Sequence, residues 1–238
     1  MPPQLIFPFV FLLNLVHSCC DWPPQILFNL FSLIAKMMGG TRPIAKTPIL
    51  YRLWCIARSP VIKEWSRSTC PEWEHAAEGK NAFGSAAIHQ WANELAIVTG
   101  LDAGALLWDI HNFFDSINYE DVQRAASSLN YPSSDLKLAL HLHRSPRLLS
   151  VGGATSCALI PNRGILQGCM HSMYLARSVT YHPVRRVGRE QRAEAFVSPT
   201  TTSTYVDDVV QWAIGKTRNI YINRCCMLVL VLLVLLGF

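Results

Sequence analysis

The chain has 238 residues, enough for one or two small domains with a real core. Half of the residues are hydrophobic and 16% are charged, below the roughly 25% of an ordinary soluble domain, and the shortfall lies at the two apolar ends. The net charge of +5 suits a polyanionic partner. The eight cysteines, with no C-x-x-C pair and no His at zinc-finger spacing, speak against a zinc site or disulfide framework and for reduced thiols in a cell interior.

In chain order, Gln4 to Val16 is strongly apolar, but no Lys or Arg precedes it and Pro8 and Asn14 interrupt it, which argues against a signal peptide. Asp21-Trp22-Pro23-Pro24 reads as a break, and Gly39-Gly40-Thr41-Arg42-Pro43 as a turn. From Thr47 to Ala57 the apolar spacing predicts a helix with Leu50, Leu53, Trp54 and Ala57 on one face. Ser85 to Val98 predicts a second helix, closed by Gly100. Ala105-Leu106-Leu107-Trp108 predicts a short buried strand that delivers Asp109 at its end.

Asn118, with Asp121 three residues on, predicts a helix start close to a capping box, and that helix stops before Pro132. Ser133 or Ser134 caps another helix, through Leu140. Arg147 to Ile160 holds two β-prone runs around Gly152-Gly153, a hairpin signal. Gly164 to Thr180 begins Gly-rich and continues as a helix. Ser203 to Ile214 is a strand, an acidic pair and a second strand. The chain shows no internal repeat.

The last fourteen residues, Cys225 to Phe238, are almost purely apolar. A span needs about 20 such residues. Extending the run to Ile220 brings Asn223 and Arg224 inside it. Two readings stand side by side: a tail anchor, or sequence foreign to the functional fold, such as a frameshift or an inserted element.

Three carboxylates stand out. Asp109 ends an apolar run, and Asp207 and Asp208 sit between Thr204-Tyr205-Val206 and Val209-Val210-Gln211-Trp212. Acidic neighbours in an apolar hairpin repel unless solvated or bound to cations. Mg²⁺ prefers such oxygens, and two ions about 4 Å apart suit phosphoryl transfer to a hydroxyl. For an isolated Asp-Asp, a plain turn is the simpler reading.

The surroundings go further. Tyr205-Val206-Asp207-Asp208 resembles the YxDD box, motif C, of reverse transcriptases. The run Trp108-Asp109-Ile110-His111-Asn112-Phe113-Phe114-Asp115-Ser116-Ile117 resembles their motif A. Gly164-Ile165-Leu166-Gln167-Gly168-Cys169-Met170-His171-Ser172 is similar to motif B, G-x-x-Q-G-x-x-x-S. The three follow in the order A, B, C. Upstream, Ile34-Ala35-Lys36 and Thr41-Arg42-Pro43-Ile44, followed by Leu50-Tyr51-Arg52-Leu53, look like the fingers segment of non-LTR, LINE-like enzymes. His111-Asn112 and Met170-His171 depart from the usual motif residues.

The resemblance implies an α+β fold: the fingers and palm of a right-hand polymerase, with a small antiparallel palm sheet, flanking helices and no thumb. Its expected limits are residues 31–214, with an apolar segment over 1–30 and an apolar tail over 215–238. It implies RNA-directed DNA polymerase activity of a mobile element. Asp109, Asp207 and Asp208 would be the catalytic residues and would hold two Mg²⁺, or Mn²⁺. Lys36 and Arg42 would contact the incoming triphosphate. Phe114 would bar a 2′-hydroxyl, and Gln167 and Gly168 would border the nucleotide and template. Asp115 is expected to be structural or secondary.

The implied partners are an RNA template, a DNA primer and deoxynucleoside triphosphates, with a membrane as a further partner through the tail. The implied compartment is intracellular, nucleus or cytoplasm. Without a thumb the grip on the duplex would be poor, so an inactive retrotransposon remnant and a small tail-anchored membrane protein stand as alternatives. His111, His141, His143 and His171 are expected at the surface or in loops.

Overall fold

The computed structural model describes residues 3–37, 39–193, 200–206 and 208–215. Along the chain lie α1 (Pro3–Cys19), β1 (Asn29–Ala35), β2 (Thr41–Lys46), α2 (Ile49–Thr69), α3 (Ala82–Val98), β3 (Asp102–Asp109), α4 (Phe113–Ser116), α5 (Tyr119–Ser128), α6 (Ser133–His143), β4 (Arg147–Val151), β5 (Ala154–Thr155), α7 (Ser172–Ala193), β6 (Thr200–Tyr205) and β7 (Asp208–Gly215). The fold is mixed α and β with two small sheets, in the orders β2-β1-β4-β5 and β3-β7-β6. The chain divides into two units, residues 1–65 with 114–176, and residues 66–113 with 177–238.

The first unit carries the four-stranded sheet. β1 pairs antiparallel with β2, Ile34 opposite Arg42, and parallel with β4, Asn29 opposite Arg147. Thr41 to Pro43 therefore belong to a strand, and the turn is confined to Lys36–Gly40, where the Lys36 amide donates to the Gly40 carbonyl at 3.0 Å. The core of this unit is aromatic. Trp22 meets Tyr51 and Trp54 edge-on at 5.6 and 5.5 Å, and its indole N–H donates to the Leu138 carbonyl at 2.9 Å. The apolar N-terminal segment contributes Val16 and Trp22 to this core.

Helix α2 differs from its expectation in two ways. It runs on through Pro60 to Thr69, and its buried face is Tyr51, Trp54, Cys55, Ile62 and Trp65, whereas Leu53 and Ala57 are exposed. A proline forfeits one backbone hydrogen bond, which the burial of Ile62 and Trp65 beyond it offsets. On α6, Pro132 rather than a serine stands at the N-cap, and Asp135 in the first turn takes a two-pronged contact from the Arg58 guanidinium at 2.8 and 2.7 Å. Asn118 makes no cap bond to the backbone; its side-chain amide donates to Asp121 Oδ2 at 3.4 Å.

The second unit carries the three-stranded antiparallel sheet with β7 in the middle. Val209, Gln211 and Ala213 of β7 alternate into its buried face. The 73–75 segment braces β6: the Thr204 amide donates to the Trp73 carbonyl, and the Thr204 hydroxyl donates to the buried Glu74 carboxylate at 3.0 Å. The expectation of a buried β3 is corrected. It is the outer strand, and Leu107 is 78% exposed. Helix α3 begins earlier than its apolar pattern, because the Asn81 side chain accepts the Gly84 amide at 2.7 Å. Asn81→Ala is expected to lower stability by about 1 kcal/mol in urea unfolding.

No helix among the described residues is long and apolar enough to cross a membrane. The apolar tail proposed as an anchor lies, from residue 216, outside the described residues.

Candidate active site

In the second unit, β3 and β7 run antiparallel from Asp102 opposite Gly215 to Asp109 opposite Asp208. The two acids are a direct cross-strand pair at the end of the ladder, and both are exposed. Residues so placed have Cβ atoms about 5 Å apart, and like charges there are destabilising. Tyr205 pairs with Asp208, and Val206 follows Tyr205 into the turn of the β6–β7 hairpin. Asp207 itself lies outside the described residues.

Val206 has φ of 61°, in the left-handed region. A tight hairpin turn favours this, but a β-branched residue there is strained. Such a conformation costs about 1–3 kcal/mol and persists only where the flanking structure imposes it. Here the flanking ladders from Thr200 to Tyr205 and from Asp208 to Gly215 do so. A glycine would relieve the turn, yet the chain keeps valine before its acidic pair.

Among the described residues no three metal-ligating side chains gather. The described donors are Asp109 and Asp208, whose hard carboxylate oxygens fit a divalent cation such as Mg²⁺. A cation would also relieve the repulsion between them.

In the first unit, the Gly164–Ser172 loop is held on three sides. The Gly164 amide donates to the Ile117 carbonyl and the Ile165 amide to the Phe114 carbonyl, both at 2.8 Å. The Ala45 amide donates to the Gln167 carbonyl at 2.8 Å, which ties the loop to β2, three residues from Arg42. The Ser172 hydroxyl donates to the Leu166 carbonyl at 2.6 Å. Two glycines are required by close approach. A Cβ on Gly164 would lie 3.0 Å from the Asp115 carbonyl oxygen, and one on Gly168 would lie 3.1 Å from that of Ala45.

This geometry brings Phe114, Gln167 and Gly168 to one neighbourhood beside β2. Phe114 and Gln167 are partly buried, and Gly168 is exposed. Lys36 lies at the β1–β2 turn and Arg42 on β2; both are exposed. Asp115 is half-buried. Burial raises its carboxyl above the ordinary range, and Arg147 opposes that rise.

Three residues of this assembly escaped sequence reading. Arg147 donates to the Gly164 and Arg163 carbonyls, His143 Nδ1 accepts the Leu166 amide at 3.2 Å, and the Tyr119 hydroxyl donates to the His143 carbonyl at 3.0 Å. No motif signals them. The expectation for the histidines is corrected at two positions. His111 is exposed and His141 pairs with Asp21 at 2.9 Å, but His143 and His171 are core residues. His171 Nδ1 meets the Tyr131 hydroxyl at 2.6 Å, and its ring stacks on Trp54.

Burial drives His171 down to about 4 and His143 to about 3, so both are neutral in the fold. A depressed histidine contributes stability that is complete above its unfolded value, about 6.5, and is lost as pH falls towards the folded value. The urea midpoint is therefore expected to fall steadily from pH 6.5 to 4, and His171→Asn should show a shallower fall over the same range.

No family model matches the sequence, and no curated protein matches it. Solved structures do. Apo telomerase from Candida tropicalis, truncated from its C-terminal domain, matches with a TM-score of 0.58 at 12% identity, over 90% of this chain and 49% of that one. Telomerase from Candida albicans, in complex with a TWJ fragment of telomeric RNA, matches with a TM-score of 0.57 at 12% identity, over 90% and 41%. The chain thus spans half or less of the telomerases it resembles. At this identity what is shared is the fold.

Proposed function

We propose that the chain is the fingers and palm of an RNA-directed DNA polymerase from a mobile element of the non-LTR type, adding deoxynucleotides to a primer 3′-hydroxyl. The observation that carries this reading is the cross-strand pair of Asp109 with Asp208, next to the strained Val206 turn, in a fold shared with telomerase. The three-stranded sheet takes the part of the palm and the β1–β2 hairpin with α2 that of the fingers. The non-LTR assignment rests on the Lys36 and Thr41-Arg42-Pro43-Ile44 segment.

Two Mg²⁺ ions held by Asp109, Asp207 and Asp208 would neutralise charge at the attacking hydroxyl and the departing pyrophosphate. The other roles fall to the chain's own residues. Arg42 offers a planar fork to phosphate oxygens and Lys36 a point charge. The Phe114 ring bars a 2′-hydroxyl by bulk. Gly168, without a Cβ, permits close approach at the loop that Gln167 borders. The partners are an RNA template, a DNA primer and deoxynucleoside triphosphates.

The test is single-nucleotide addition to a primer on an RNA template, with protein in excess and Mg²⁺ or Mn²⁺ present. Template-directed incorporation supports the reading; its absence with either cation overturns it. Phe114→Ala is expected to let ribonucleotides compete, narrowing discrimination against them by about a hundredfold or more, since a steric barrier of some 3 kcal/mol disappears. Unchanged sugar selectivity in that variant would remove Phe114 from its role.

A further inference from the structure

Helices α5 and α6, both in the first unit, border a half-open groove of about 370 Å³. Its floor is apolar: Leu136 and Leu140, one turn apart on α6, line it and are almost wholly buried. Its walls are polar. Gln123 and Ser127, one turn apart on α5, and Ser133 at the start of α6 supply an amide and two hydroxyls, all exposed. Lys137, His141 and Arg144 complete the lining, at spacings of four and three residues that keep them on one face of α6.

Two acids meet these cations, unequally. Asp21 takes up His141 Nδ1 at 2.9 Å, whereas Glu120, with 76% of its side chain exposed, only reaches Arg144 at 3.7 Å. The Arg144 guanidinium lies over the Tyr119 ring, 5.1 Å from its centroid, which steadies it. Lys137 has no ion-pair partner among the described residues. Positive charge therefore remains at two points about 10 Å apart along the helix. An inorganic anion would leave the apolar floor unused, and an acyl chain would leave the amide and hydroxyls unused. A ring with polar edges that carries a phosphate uses all three, and the volume falls within the roughly 300–1,000 Å³ of small-molecule sites. We propose that this groove binds a nucleotide unit, its base on Leu136 and Leu140 and its phosphate at Lys137 and Arg144. The chemistry is that of a free nucleotide or of one residue in an RNA strand. The groove shares no residue with the Asp109–Asp208 pair or the Gly164–Ser172 loop.

Amide chemical-shift mapping of the full chain tests this, in chelator and without primer, so that the result stands apart from nucleotide addition. AMP or UMP is expected to shift the α5 and α6 amides saturably, and to bind about tenfold or more tighter than inorganic phosphate or the matching nucleoside. Lys137→Glu combined with Arg144→Glu should weaken that binding by about tenfold or more. Ser127→Trp, which fills the groove without changing its charge, should weaken it as much. The octamer (rA)8 separates the two sources. Mapping to the same amides more than about tenfold tighter than AMP assigns the groove to a strand, and any weaker binding assigns it to a free nucleotide. Shifts confined to other elements, no saturation with either nucleotide, phosphate or nucleoside binding as tightly as the nucleotide, or full binding in either variant would each overturn the proposal.

Discussion

Asp109→Asn is expected to lower nucleotide addition by about a thousandfold or more, while leaving the fold as stable as before or slightly more so. The two halves have one cause. Asp109 faces Asp208 directly across the β3–β7 ladder, and like charges so placed destabilise a sheet by some tenths of a kcal/mol to about 1 kcal/mol. Asn removes that repulsion. It also removes a cation ligand, and charge stabilisation by bound metal supplies several kcal/mol to a phosphoryl-transfer barrier; about 4 kcal/mol corresponds to the thousandfold. Asp207→Asn should do the same to activity.

The control is Asp121→Asn on α5, an exposed carboxylate paired with Arg124 at 2.8 Å, which should leave addition unchanged. Thermal unfolding in chelator and primer extension in Mg²⁺, measured on the same preparations, separate loss of chemistry from loss of fold. Full activity in Asp109→Asn, or equal loss in the control, would remove the acidic pair from its assigned role.

The residues that can be read locally are those whose structure is made locally. The β6–β7 hairpin is legible because two short β-prone runs either side of an acidic pair encode it within a dozen positions. The Gly152-Gly153 hairpin is legible for the same reason. Helix α3 has a stop at Gly100 that is visible in sequence, whereas its cap at Asn81 lies ahead of the apolar pattern that begins at Ser85.

What stayed hidden depends on distant partners. β3 reads as buried because it is apolar, yet it is the outer strand, and nothing in Ala105-Leu106-Leu107-Trp108 says on which side β7 will pair. The parallel pairing of β1 with β4 joins residues more than a hundred positions apart, with no local signal. His143 and His171 read as polar, and only Leu166 and Tyr131, brought to them by the fold, let them lie in the core. The continuation of α2 past Pro60 likewise rests on where Ile62 and Trp65 pack.

Gly164→Ala should be the most damaging of the small substitutions, and comparison with Gly39→Ala isolates the reason. Both glycines have φ near +90°, so any side chain at either position is strained by a similar amount, about 1 to 2 kcal/mol. At Gly39 a Cβ would meet nothing within 4 Å. At Gly164 it would lie 3.0 and 3.1 Å from the carbonyl oxygen and Cα of Asp115, which are backbone and cannot rotate away.

To make room, the loop must pull off the 114–117 segment. That breaks the bonds from the Gly164 amide to Ile117 and from the Ile165 amide to Phe114, each worth about 1 kcal/mol, with a further penalty for leaving them unpaired in a buried place. Gly164→Ala is therefore expected to cost about 3 kcal/mol or more in denaturant unfolding, against about 1 to 2 kcal/mol for Gly39→Ala. Because the same displacement moves Gln167 and Gly168 relative to Phe114, nucleotide addition should fall further in Gly164→Ala than its folded fraction explains. Equal destabilisation by the two alanines would show that the loop yields freely, and that its close approach to Asp115 does not fix the position of Gln167.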